Sequence, residues 1–107
     1  MTAMPKIVRP ADQPQVVDEF IGVFGNRVRW EVLRFLKDNG ASIRADIAAG
    51  TGLANPTLGH HLAELERWGV IAGDFSPEMR RGRTVRYSLV PERVRELAAA
   101  SIDYIFD

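Results

Sequence analysis

Apolar positions follow a helical period up to residue 68 and a period of two after residue 69, so the order of elements can be read first. Val16, Val17, Phe20, Ile21, Val23 and Phe24 predict a first helix over residues 15–24. Gly25-Asn26 interrupts it, and Asn26 suits the cap of a second helix. Val28, Val32, Leu33, Phe35 and Leu36 form the buried stripe of that helix, which stops at Asp38-Asn39-Gly40. A short helix over residues 44–50, anchored by Ile47 and Ala48, ends at Thr51-Gly52. Asn55-Pro56 then signals a new start, because asparagine caps free amides and proline fits the first helical position. The fourth helix is predicted from Pro56 to Trp68, with Leu58, Leu62 and Leu65 inward.

Beyond Gly69, Val70 to Phe75 and Thr84 to Val90 alternate as strands. In the second, Val85, Tyr87 and Leu89 face one way, while Thr84, Arg86 and Ser88 face the other. Pro91-Glu92 opens a last helix, whose Val94, Leu97, Ala98, Ser101, Ile102 and Ile105 recur at helical spacing. The predicted fold class is therefore α+β, mainly α: helix, helix, short helix, turn, helix, hairpin, helix. Two helices joined by a turn and followed by a two-stranded wing is an arrangement that reads DNA. Residues 1–14, with Pro5, Pro10 and Pro14, are expected to be a flexible arm, and residues 15–107 a single domain.

Composition narrows the classes further. The chain has 107 residues, one domain's worth, with 46% hydrophobic and 26% charged, ordinary values for a globular core. The absence of cysteine removes disulfides, thiolate metal sites and cysteine nucleophiles. No apolar run approaches the roughly 20 residues of a spanning helix, and the start of the chain does not read as a signal peptide. A cytoplasmic protein without membrane contact is expected. Basic and acidic residues balance at 14 each, but six arginines lie between Arg80 and Arg95 against one acid, Glu92. A focused basic patch on a neutral chain fits selective rather than indiscriminate contact with nucleic acid.

The residues from Phe24 to Leu36, Phe-Gly-Asn-Arg-Val-Arg-Trp-Glu-Val-Leu-Arg-Phe-Leu, resemble the second-helix signature of ArsR-type winged-helix regulators. Thr51 to Ile71 is similar to the turn, recognition helix and first wing strand of that family, and Arg83 to Leu89 to its second wing strand. The resemblance implies a winged helix-turn-helix that binds double-stranded DNA as a homodimer, paired through its first and last helices, and regulates transcription as a repressor. Three positions depart from the family pattern: Arg27 replaces the usual proline, and Ala54 and Gly59 stand where serines are common. The last helix has no histidine and the chain no cysteine, so the resemblance implies a member without a metal sensor. No cofactor is expected, and no pattern specifies a small-molecule effector.

Projected at about 100° per residue, the fourth helix turns Pro56, Gly59, His60, Ala63 and Arg67 away from its leucines. Asn55, Pro56, Thr57, Gly59 and His60 are its candidate DNA-facing residues. Gly59 and Ala63 leave room for a groove wall, although Gly59 equally fits close packing against the third helix. Asn55 is either an adenine reader or simply the helix cap. His61 points to the core, and the adjacent pair His60-His61 diverges too far to chelate a metal. In the wing, Arg80, Arg81, Arg83 and Arg86 are candidate backbone contacts or solvated charges, and Arg27, Arg29 and Arg44 weaker phosphate candidates. Ala99, Ala100, Tyr104 and Phe106 lie outside the main stripe of the last helix, as a dimer face would. The alternative is a winged helix that has lost DNA and binds a protein. An enzyme is disfavoured, because no phosphate-binding glycine loop, metal-ligand cluster or paired nucleophile is present.

Overall fold

The computed structural model describes residues 10–107; the earlier part of the expected arm lies outside them. Pro10 to Pro14 form a turn and extended backbone that lead into the first helix. In chain order the elements are α1 (Gln15–Phe24), α2 (Arg27–Asn39), β1 (Ser42–Ile43), α3 (Arg44–Thr51), α4 (Asn55–Arg67), β2 (Ile71–Gly73), a 3-10 turn (Pro77–Met79), β3 (Arg86–Leu89) and α5 (Pro91–Phe106).

Local chemistry sets most of these boundaries. The Asn26 side chain accepts from the Val28 amide at 2.9 Å and so caps α2 as its sequence predicts. Gly52, at φ 75°, closes α3 in the left-handed conformation that lets the chain turn sharply into α4. The start of α4 differs from expectation: Ala54 is the N-cap, no side chain caps the helix, and Asn55 is its first residue with Pro56 second. The cause is tertiary, because the Asn55 side chain is held by Arg44 from α3 instead of folding back over its own helix.

The sheet also differs from a simple hairpin. Three antiparallel strands run in the order β1-β3-β2, pairing Ser42 with Tyr87 on one side of β3 and Ile71 with Leu89 on the other. Both wing strands are shorter than their alternation predicts, so much of the segment between them is loop. The predicted facing of β3 holds at Tyr87 and Leu89, which pack on the core, and at Arg86, which is exposed.

Val23, Val32, Leu36, Ile47, Leu58, Leu62, Leu65, Val70, Ile71 and Leu97 form one buried cluster drawing on all five helices and β2. The three leucines of α4 are thus committed to the core, and burying each contributes about 1.5–3 kcal/mol of transfer free energy. That anchorage leaves the opposite face of α4 turned out. α5 packs along α1, yet Ile21, Ile102, Ile105 and Phe106 on these two helices stay exposed, Phe106 at 82%.

Candidate nucleic-acid interface

The outer face of α4 is built from small and polar residues. Asn55, Pro56, Thr57, His60, Ala63 and Arg67 are exposed, and Gly59 is half-buried among them. The wing loop rises beside this face, leaving a groove between α4 and the wing lined by Gly59, Ala63, Arg67, Pro77 and Tyr87. Of the residues expected to face DNA, Gly59 and Arg80 line this groove, while Asn55, Pro56, Thr57, His60, Arg81, Arg83 and Arg86 are exposed outside its lining.

The half-burial of Gly59 comes from Arg44. A Cβ at residue 59 would lie 2.5 Å from Arg44 Nη2, so the guanidinium crosses the helix where other residues carry a side chain. Close packing against the third helix is the favoured reading of this glycine, and the packing group is a charge rather than a hydrocarbon. From there Arg44 Nε donates to Asn55 Oδ1 at 2.5 Å and Nη2 to the Asn55 carbonyl at 2.6 Å. Arg44 is thus a larger part of the site than its place among the weaker candidates suggests. The one sequence signal for it is an otherwise costly glycine inside a helix.

The wing arginines divide. Arg80 turns inward: Nη1 donates to Glu66 Oε1 at 2.9 Å, Nη2 to Glu66 Oε2 at 2.5 Å and Nε to the Phe75 carbonyl at 2.8 Å. Glu66 also accepts from the Gly73 amide, and the Arg80 hydrogen bond leads the causes that hold its carboxyl below the usual range. Arg80, expected among the DNA contacts, therefore ties the wing to α4, and its donors are directed at protein. Arg81, Arg83 and Arg86 are exposed, with Arg83 stacked over Phe75 at 4.9 Å.

Beneath the interface, His61 is buried as its position predicts. Its Nδ1 accepts from Arg29 Nε at 3.0 Å, and Arg29 also donates to the Gly22 carbonyl and lies over Trp68. Burial, and then the neighbouring Arg29 and His60, push the His61 pKa below its usual value, so the neutral imidazole is favoured. Arg29, a weaker phosphate candidate from sequence, is a core residue. Among the described residues no three histidine, cysteine or carboxylate side chains gather as a metal site would require. No helix among them is long and apolar enough to cross a membrane.

Five helices with a small antiparallel wing define a winged helix-turn-helix, and the arrangement is that of ArsR-type winged helices. An ArsR family transcriptional regulator superposes with a TM-score of 0.66 at 19% identity, over 84% of this chain and 92% of that one. NolR from Sinorhizobium fredii gives a TM-score of 0.61 at 22% identity, over 84% and 85% of the two chains. A homodimeric winged helix-turn-helix DNA-binding domain from Mycobacterium bovis, a possible ArsR-family regulator, gives 0.62 at 19% identity, over 89% and 90%. Neither a protein-family profile nor a curated protein sequence matches the chain. At these identities the likeness is one of fold.

Proposed function

We propose that this protein is a sequence-specific double-stranded DNA-binding transcription regulator that acts as a homodimer. The observation that carries the reading is the two-walled surface itself. An exposed α4 face, with little bulk at Ala63 and the Arg44 guanidinium lying over Gly59, stands beside a wing bearing Arg81, Arg83 and Arg86 in solvent. The narrow helix face suits the major groove, and the wing cations suit flanking phosphates. Thr57 and His60 are the uncommitted α4 side chains nearest its start, and they are assigned to base or phosphate contacts.

Pairing through α1 and α5 would cover Ile21, Ile102, Ile105 and Phe106, an apolar set that the monomer leaves in water. The homodimeric state of the M. bovis domain, which shares this fold, supports the same arrangement. A two-fold dimer places two recognition helices about one DNA turn, roughly 34 Å, apart and reads an inverted repeat. Occupying such a site within a promoter excludes polymerase, so repression in the cytoplasm is the assigned role.

Selection from a pool of genomic duplex fragments tests this. The expected result is enrichment of an inverted repeat, bound with an affinity that falls as salt rises. Binding indifferent to sequence, or none, would remove the proposal.

A further inference from the structure

The way Arg44 holds Asn55 has a consequence for which base the site can read. A guanidinium carries only donors, so the Asn55 atom that faces Arg44 Nε at 2.5 Å must be the carbonyl oxygen. That oxygen is the amide's only acceptor. Arg44 takes one of its two lone pairs, and the Nδ2 amino group of Asn55 brings two donors. Arg44 adds to this: Nε and Nη2 are committed to Asn55, and among the described residues Nη1 has no partner. Both side chains are exposed at the start of α4, beside the groove. Gly59 fixes the arrangement, since any larger residue would meet Arg44 Nη2.

We propose that Arg44 and Asn55 act as a single specificity-determining pair that presents mainly donors and selects a guanine in the half-site. The pair rests on the DNA-binding reading above and sharpens it. An asparagine free to rotate recognises adenine by donating to N7 while accepting from the N6 amino group. At Asn55 one lone pair of that oxygen is already taken by Arg44, and an N6 amino group approaching the other would come up beside the guanidinium's own protons and charge. The major-groove edge of guanine offers N7 and O6, two acceptors side by side, and matches the donors of Arg44 Nη1 and Asn55 Nδ2. Cytosine and adenine each present an amino donor that faces the pair's donors, and thymine offers O4 as a single acceptor beside a methyl group, so guanine alone satisfies two donors at once.

The test uses the full chain, duplexes selected from a random pool, and the variants Arg44→Met and Asn55→Ala. Each guanine of the selected half-site is replaced in turn by 7-deazaguanine, which lacks the N7 acceptor. One such replacement is expected to weaken the wild type by about 5- to 150-fold and to leave Arg44→Met unaffected. Arg44→Met is further expected to select adenine at that position, because its Asn55 oxygen is released. Asn55→Ala keeps Arg44 and is expected to lose preference for the guanine without gaining adenine, which carries the test if the first variant unfolds. An Arg44→Met variant with the wild-type base preference overturns the proposal. So does a uniform loss across sequences with a log–log salt slope shallower by about one unit, which would place the pair on a phosphate. No selective binding by the wild type would overturn this inference and the DNA-binding reading together, whereas selective binding with an unaltered preference overturns this inference alone.

Discussion

Glu66 on α4 and Arg80 in the wing meet in a two-point ion pair, with each guanidinium Nη donating to a different carboxylate oxygen. Both side chains are about three-quarters shielded from solvent, so the pair is less screened than a surface bridge. It fixes the angle between the two walls of the groove. Glu66→Gln is expected to cost about 1–2 kcal/mol of stability, since it replaces the two-point ion pair by a hydrogen bond from the guanidinium to one uncharged oxygen and removes the second acceptor. Selective DNA affinity should fall further than that loss, because the wing is no longer held at one angle. Thermal unfolding and duplex titration on the same variant separate the two, and an affinity equal to wild type would refute the role of the pair.

Arg81 and Arg80 are neighbours with opposite assignments. Arg81→Ala is expected to leave the melting temperature unchanged and to make the log–log salt slope of DNA binding shallower by about one unit, as loss of one phosphate contact does. Arg80→Ala is expected to lower the melting temperature, because Glu66 and the Phe75 carbonyl lose their donors. If the two variants behave alike, the division of the wing arginines is wrong.

Burial of His61, with the charge of Arg29 beside it, makes stability depend on pH. The folded-state pKa of His61 lies below the unfolded value of about 6.5, so the unfolded chain binds the extra proton first. Its contribution is complete above about pH 6.5 and is lost as pH falls below that value toward the depressed folded pKa. Glu66 follows the same sign in a more acidic window, being stabilising above its unfolded value and losing that effect as pH drops through its lowered pKa. Melting temperatures measured from pH 7.5 to 5.5 should decline for the wild type. They should decline less for His61→Asn, which keeps an acceptor where Nδ1 stands and cannot titrate. Parallel curves for the two proteins would count against the assignment.

Ile102 and Ile105 are 49% and 69% exposed. The double substitution Ile102→Glu and Ile105→Glu is expected to leave the protein folded and to convert a dimer to a monomer in sedimentation. DNA affinity should fall at least a hundredfold, because each half-site must then be bound alone. A variant that stays dimeric would move the interface elsewhere.

The helices were readable because their apolar stripes are complete: Leu58, Leu62 and Leu65 on α4 are fully or almost fully buried, as their spacing predicts. The two-residue β1 left no trace, since Ser42-Ile43 is too short to alternate and becomes a strand only by pairing with β3. Asn55 followed a sound local rule for capping and was overruled by a side chain eleven residues away. Arg80 looked no different from Arg81 in sequence, because its partner Glu66 precedes it by fourteen positions on another element. In each case the missing information was a long-range polar contact, and such contacts carry no period.

Trp68, at the end of α4, lies across Gly22 of α1, where an added Cβ would stand 2.5 Å from the indole. Arg29 covers its ring from α2, and Arg93 of α5 donates to its carbonyl at 3.0 Å while holding Glu19 of α1. α4 is thereby tied to both helices assigned to pairing. A dimer so constructed behaves as a fixed-jaw calliper: its two tips keep one separation and one phase. Inserting a single base pair between half-sites, a rotation of about 34–36° along the duplex, should then be met by bending of the DNA, since yielding at this joint would break the Trp68 packing and the Arg93 hydrogen bonds.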